Sequence, residues 1–309
     1  MPETNTMLVA VDLSPEVPPL LEAAIQWATR LGSEMRLLHA SDVADPPASG
    51  SVPEEVAEAF RVFQERLRDR ADEDRAALEQ YAATCVGRGV KTSVETVPGR
   101  PWEAIIQSSV ATPPTLTVVG AHRASEGSTL GRLRDRFLGT TAQRVLRTLS
   151  GPILMLTPGE VDFGKPWVVG VDLSDASSLA LRTAAHLAGL AGCKLRVVYI
   201  HSPVGKVEEE SESWRSVLRD HSQRESELEL ARFLEKHVPA DIVAETVVTS
   251  GQPGEVLTDD AEQTGAPVLV VGTQGRTRAA RFLLGSVAEK CLRLSRTSVL
   301  VVPTVDPSE

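Results

Sequence analysis

The residues best suited to chemistry stand in one string near the end of the chain, GTQGRTRAARFLLGS. It holds Gly272, two residues, Gly275, nine residues, then Gly285 and Ser286. Glycine has no Cβ, so its backbone can take positive φ and approach a ligand closely, with consecutive N–H groups aimed at phosphate oxygens. Gly285 and Ser286 open SVAEKCLRLS, a segment with helical spacing. Its first amides would lack intrahelical partners, and its dipole would present a positive end. Arg276, Arg278 and Arg281 add positive charge inside the string. An anion such as phosphate is the ligand this arrangement suits. The same spacing also reads as an ordinary helix cap behind a Gly/Arg loop, and a short motif alone does not choose between them.

Other chemistry has little support. The six histidines, His39, His122, His186, His201, His221 and His237, form no H-x-x-x-H or Ser/His/Asp arrangement. His39 and His186 read as packing residues, whereas His122 and His201 follow apolar runs and could border a cleft. G-x-x-x-x-G-K-[ST], H-x-G-H and S-G-G-x-D-S strings are all missing, so P-loop hydrolysis, nucleotidyl transfer and pyrophosphatase chemistry lack their hallmarks. Cys85, Cys193 and Cys291 lie about a hundred residues apart with no C-x-x-C pair. They read as small buried hydrophobes, not as disulfides or zinc ligands. We therefore assign no catalytic and no metal-ligating residue from the sequence.

The segments that must position the string are written twice. LVAVDLS (8–14) returns as VVGVDLS (168–174), an offset of 160, which also relates Gly32 to Gly192. VPGRPWEAI (97–105) matches TSGQPGEVL (249–257), and LTVVG (116–120) matches VLVVG (268–272), both at an offset of 152. FLGTTAQRVLR then matches FLLGSVAEKCLR, and ILMLTP ends like SVLVVP. Duplication of one domain explains this, with the joint in TPGEVDFGKP, 157–166. Length agrees, since 309 residues give a prior of about two domains.

Within each copy, short β-rich runs alternate with helix-length segments, the pattern of a parallel sheet with right-handed crossovers. Strands are expected at 7–13, 34–41, 90–97, 115–120 and 152–157, then at 167–173, 194–201, 241–249, 267–272 and 297–302. Runs such as VLVVG lack in/out alternation, which suits strands covered on both faces. Ser14 and Ser174 stand where helix N-caps belong, and Gly32 and Gly192 where those helices close. Pro53 to Val86 and Glu208 to His237 read as long solvated helices carrying many i,i+4 ion pairs. Apolar residues make up 42%, charged residues 24%, and the net charge is -10. These values fit a folded, cytoplasmic chain that binds neither nucleic acid nor membrane.

The G-x-x-G-x9-G-S string, the VDLS strand end and the five-strand order in both halves resemble the universal stress protein family in its tandem form, over nearly the whole chain. The resemblance implies an α/β fold of two doubly wound, Rossmann-like, five-stranded parallel-sheet domains of strand order 3-2-1-4-5, at 1–158 and 165–309. It implies ATP, with or without Mg²⁺, at the ends of strands one and four. It also implies pairing of fifth strands, which the two halves of one chain can imitate; a further homodimer stays open. Carried over by position, Asp172 lies beside the adenosine, the Ile200 backbone meets the adenine, and Val248 lines the base pocket. Gly272, Gly275, Arg276, Gly285 and Ser286 form the ribose and phosphate loop, with Ser286 able to reach a phosphate or Mg²⁺. On the residues alone, Asp172 also fits turn chemistry or a salt bridge, and Ile200 and Val248 also fit core packing.

The first copy departs from that pattern. Asp12, Ala40, Val97, Gly120, Gly139 and Thr140 take the equivalent places, but Gly120 lies 19 positions before Gly139, against 13 between Gly272 and Gly285. Arg123 replaces the second glycine, and Gly127 and Gly131 fall in the insertion. Weaker or altered nucleotide binding is expected there. The function that follows is a nucleotide-responsive stress or regulatory protein with ATP mainly in the second domain. A scaffold without nucleotide and a slow ATPase are the alternatives.

Overall fold

The computed structural model describes residues 5–41, 54–121, 139–201, 212–273 and 284–304. The first repeat runs β1 (Thr6–Ala10), α1 (Val17–Leu31), β2 (Glu34–Ser41), α2 (Glu54–Gly87), β3 (Thr92–Pro98), α3 (Pro101–Ala111), β4 (Leu116–Gly120), α4 (Thr140–Thr148) and β5 (Ile153–Leu156). The second runs β6 (Trp167–Val171), α5 (Asp175–Ala191), β7 (Leu195–His201), α6 (Glu212–His237), β8 (Val243–Ser250), α7 (Pro253–Thr264), β9 (Val268–Gly272), α8 (Ser286–Leu294) and β10 (Ser298–Val302). All ten expected strands are present within a few residues of the expected ends.

The strands lie in the order β3-β2-β1-β4-β5-β10-β9-β6-β7-β8, so each repeat has the order 3-2-1-4-5. Neighbours within a repeat are parallel. β5 and β10 run antiparallel, with Leu154 opposite Leu300, and join the two sheets into one. Helices cover both faces. Leu21, Leu78, Leu181 and Leu230, from α1, α2, α5 and α6, pack with Val9, Leu37 and Val169 on one side. Ile105, Val145, Leu257 and Cys291, from α3, α4, α7 and α8, pack with Leu8, Leu38 and Leu269 on the other. Each such side chain contributes about 1.5–3 kcal/mol when fully buried, so a middle-layer strand is apolar on both faces, as VLVVG is.

Gly32 and Gly192 close α1 and α5 in left-handed conformations, φ 61° and 67°, and their N–H groups reach the last turn. The two helix starts differ. Ser174 caps α5, its Oγ accepting from Ser177 N at 3.1 Å. Ser14 is not the cap of α1, which starts at Val17 behind Glu16. Pro18 and Pro19 explain the delay: in a helix started at Pro15 they would have to donate to Ser14 O and Pro15 O and have no N–H to do so, whereas a start at Val17 puts both in the first turn, where no donor is needed. Ser174→Ala is accordingly expected to cost about 1 kcal/mol, and Ser14→Ala clearly less. Urea denaturation of both variants checks the difference.

α2 and α6 are less solvated than their composition suggests. Leu78, Cys85 and Leu230 are buried against the sheet. Arg75 and Glu79 form an i,i+4 ion pair, and His221 faces Glu225 at the same spacing. Burial pushes the Cys85 thiol up to about 11 and the Cys291 thiol up to about 12. Both should resist alkylation at pH 8 and react once urea unfolds the chain. The unfolded chain loses these protons near the ordinary value of 9.0 while the native chain keeps them. Stability from this source is therefore whole below about pH 9 and falls as pH rises toward the folded values, which a urea titration at pH 8 and 10.5 measures.

Candidate functional site

The parallel strands of each repeat end at one edge of its sheet, where crevices form in doubly wound folds. After β1 and β6 the chain turns sharply through Asp-Leu-Ser. Leu13 and Leu173 take positive φ, 58° and 63°. A leucine held there costs about 1–2 kcal/mol, and backbone strain of this kind clusters at functional sites in proteins generally. Asp12 Oδ1 accepts from Ser14 N at 3.0 Å, and Asp172 Oδ1 from Ser174 N at 3.1 Å. Each carboxylate is thus folded back over its own turn at the strand end. Nothing in the sequence marks the two leucines, because leucine is not a residue of left-handed turns.

In the first repeat this edge opens into a cavity of about 620 Å³, a size common for small-molecule sites. Asp12, Ala40, Gly120, Gly139 and Thr140 line it together. Val97 pairs with Ala40 in the strand register but is buried in the layer beneath α3 and α4, outside that lining. Arg70 and Asp74 of α2 also line the cavity, so α2 presents more than a solvated face. His39, at its floor, donates from Nδ1 to Val11 O at 3.0 Å, since that carbonyl can only accept. Its Nε2 faces Asp74 Oδ2 at 3.5 Å. Both ring nitrogens thus face partners within the protein.

In the second repeat the backbone brings the ends of the glycine string together. Thr273 N donates to Val302 O at 3.0 Å, and Gly285 N donates to Thr273 O at 2.7 Å. Gly272, Gly285 and Ser286 therefore meet at the end of β9, next to β6 and Asp172. Gly275 and Arg276 lie outside the described residues, as do Arg278, Arg281, Arg123, Gly127, Gly131 and His122. Gly139 and Gly285 are the N-cap positions of α4 and α8, with φ −59° and −64°. Positive φ is not what these two supply. Their use is a helix start with no side-chain cap hydrogen bond, which leaves first-turn amides to meet an anion.

One correspondence needs correction. The strand register sets Ala40 against Val97, but Ile200 against Thr249, while Val248 pairs with Tyr199. Val248 packs on the α5/α6 side and its carbonyl accepts from Gln223 Nε2. Neighbouring residues of a strand point to opposite faces, so Thr249 and not Val248 is the counterpart of Val97. Ile200 itself is partly buried on the α7/α8 side, like Ala40 in its own repeat on the α3/α4 side.

Among the described residues, no helix is long and apolar enough to cross a membrane, and no group of three or more His, Cys, Asp or Glu side chains could hold a metal ion. The fold and the strand ends define a tandem, doubly wound α/β protein with a glycine-led helix start, lacking a side-chain cap hydrogen bond, beside the strand ends in each half. The model of the universal stress protein family matches residues 3–157 and again 165–303, and the chain belongs to that family. A universal stress protein of Mycolicibacterium smegmatis is 26% identical over 315 residues, covering 96% of each chain. One from Mycobacterium tuberculosis is 29% identical over 312 residues, covering 96% of this chain and 95% of the relative. The crystal structure of a universal stress protein from Archaeoglobus fulgidus matches with a TM-score of 0.68 at 18% identity, over 98% of this chain and 100% of that one.

Proposed function

We propose that the protein binds ATP at the strand-end crevice of the second repeat and acts as a nucleotide-responsive member of its family, holding the nucleotide without rapid turnover. The observation that carries this reading is the closure of Gly285 onto Thr273, which sets the start of α8 beside Gly272 and within one strand of Asp172. The phosphates would lie on the first amides of α8 and on Ser286, and the base toward Ile200. One helix terminus contributes about 0.3–1 kcal/mol to an anion, up to ~2 kcal/mol when partly buried. The arginines of the string and an apolar base pocket must supply the rest. Mg²⁺ would arrive on the phosphates, with Ser286 able to reach it. Bound ATP would select one arrangement of the surrounding loops and so the surface offered to a partner. The two halves, joined through β5 and β10, would stand in for the two subunits of a dimer.

The first repeat supports a second, differently tuned site, because its cavity is formed from Asp12, Ala40, Gly120, Gly139 and Thr140 although its glycine spacing is altered. Chromatography of the supernatant after denaturing freshly purified protein should release adenine nucleotide. Titration of the stripped protein with Mg·ATP should then show two unequal sites. Equal sites would contradict the assignment, and a protein that neither carries nor binds nucleotide would favour a scaffold role.

A further inference from the structure

The cavity of the first repeat is not built by that repeat alone. Leu292 of α8 and Val299 of β10 line it together with Met155 of β5 and Pro158 of the connecting segment. Val299 stands opposite Met155 in the antiparallel β5–β10 register, so the wall crosses the junction between the repeats. Helix α8 begins at Gly285–Ser286, where the second repeat would hold its phosphates, and Leu292 lies six residues further on, about 9 Å along the helix axis. The start of α8 is tied to β10 through Gly285 N to Thr273 O and Thr273 N to Val302 O. The start of β10 is tied to the connecting segment by Thr157 N donating to Ser298 Oγ at 3.1 Å.

We propose that α8 and β10 form a shared element, one end facing the nucleotide of the second repeat and the other forming part of the first repeat's cavity, so that occupancy of either site raises the affinity of the other. This rests on the reading of both crevices as nucleotide sites. A phosphate held by the first amides of α8 fixes the helix in one position, and with it Leu292. A ligand in the first cavity then meets a wall already set, which removes part of its binding cost. Linkage makes the effect reciprocal and equal in both directions.

Equilibrium dialysis of the full chain with radiolabelled Mg·ATP tests it. Gly285→Leu and Gly139→Leu each place at one helix start a bulky side chain that blocks the phosphates and has no oxygen to take their place on the amides, and so leave one site. Relative to the wild-type constants, Gly285→Leu should weaken the first site and Gly139→Leu the second, by the same factor of about five or more. Leu292→Ala should remove that dependence and weaken the first site, whereas the volume-conserving Leu292→Met should retain it; thermal melts confirm that each variant is folded. Two sites that ignore each other's loss within about twofold would overturn the coupling and leave the nucleotide reading standing. No binding to the wild-type chain would overturn both.

Discussion

Gly285→Asp should cost the second repeat at least two orders of magnitude in ATP affinity, about 2.8 kcal/mol, while leaving the fold as stable or slightly more so. The backbone at this position, φ −64° and ψ 149°, is open to any L-residue. Aspartate is among the preferred N-caps, because its carboxylate accepts from the amides of the first turn. Those are the amides that the triphosphate would need, and the introduced charge would also repel it. Calorimetric titration should show the loss, and a thermal melt without nucleotide should show an unchanged or raised midpoint. A falling midpoint would mean that glycine is required there for packing. An unchanged affinity would place the phosphates elsewhere.

The fold was legible because its signals are redundant. Each strand is a short apolar run, each run recurs at the same offset, and Gly32 and Gly192 punctuate the same helix ends in both copies. What the pattern could not carry is geometry that depends on single residues. Ser14 and Ser174 occupy matching positions, yet only Ser174 caps its helix, since the prolines after Ser14 shift the start of α1 to Val17. Val97 and Val248 share a residue type, but the 152-residue offset of the repeat already sets Thr249 against Val97, and the strand register agrees, since one step along a strand turns the side chain to the other face.

The candidate site was half legible for a related reason. Glycine spacing marks where a backbone can come close to a ligand, and Gly272, Gly285 and Ser286 do meet at the end of β9. Leu13 and Leu173 were missed because strain is a property of the folded turn and not of the residue type. Arg70 and Asp74 belong to a charged segment that reads as a solvated helix, and only the packing of α2 shows that they reach the cavity. Leu292 and Val299 belong to the other repeat, and no local motif could have linked them to Asp12.

Trp27→Ala should be the most damaging of the simple core truncations, at about 3–5 kcal/mol, and its effect should not be confined to the first repeat. Trp27 belongs to α1 but meets Trp167, the first residue of β6, at 5.2 Å between ring centroids, and Phe163 of the connecting segment at 5.1 Å, both edge to face. Trp27 and Trp167 are 1% and 0% exposed. Aromatic pairs of this geometry contribute about 0.5–1.5 kcal/mol each beyond burial. Gln26, one residue earlier, accepts from Val161 N through its side-chain oxygen at 3.0 Å, fastening the same segment. Removing the indole therefore opens a cavity where α1, the connecting segment and the start of the second repeat meet. Limited proteolysis between 157 and 166 should accelerate in Trp27→Ala, and its urea transition should move to lower concentration. Should unfolding shift while cleavage in the segment stays at the wild-type rate, Trp27 would be a residue of the first core alone, and the joint between the repeats would rest on the β5–β10 pairing.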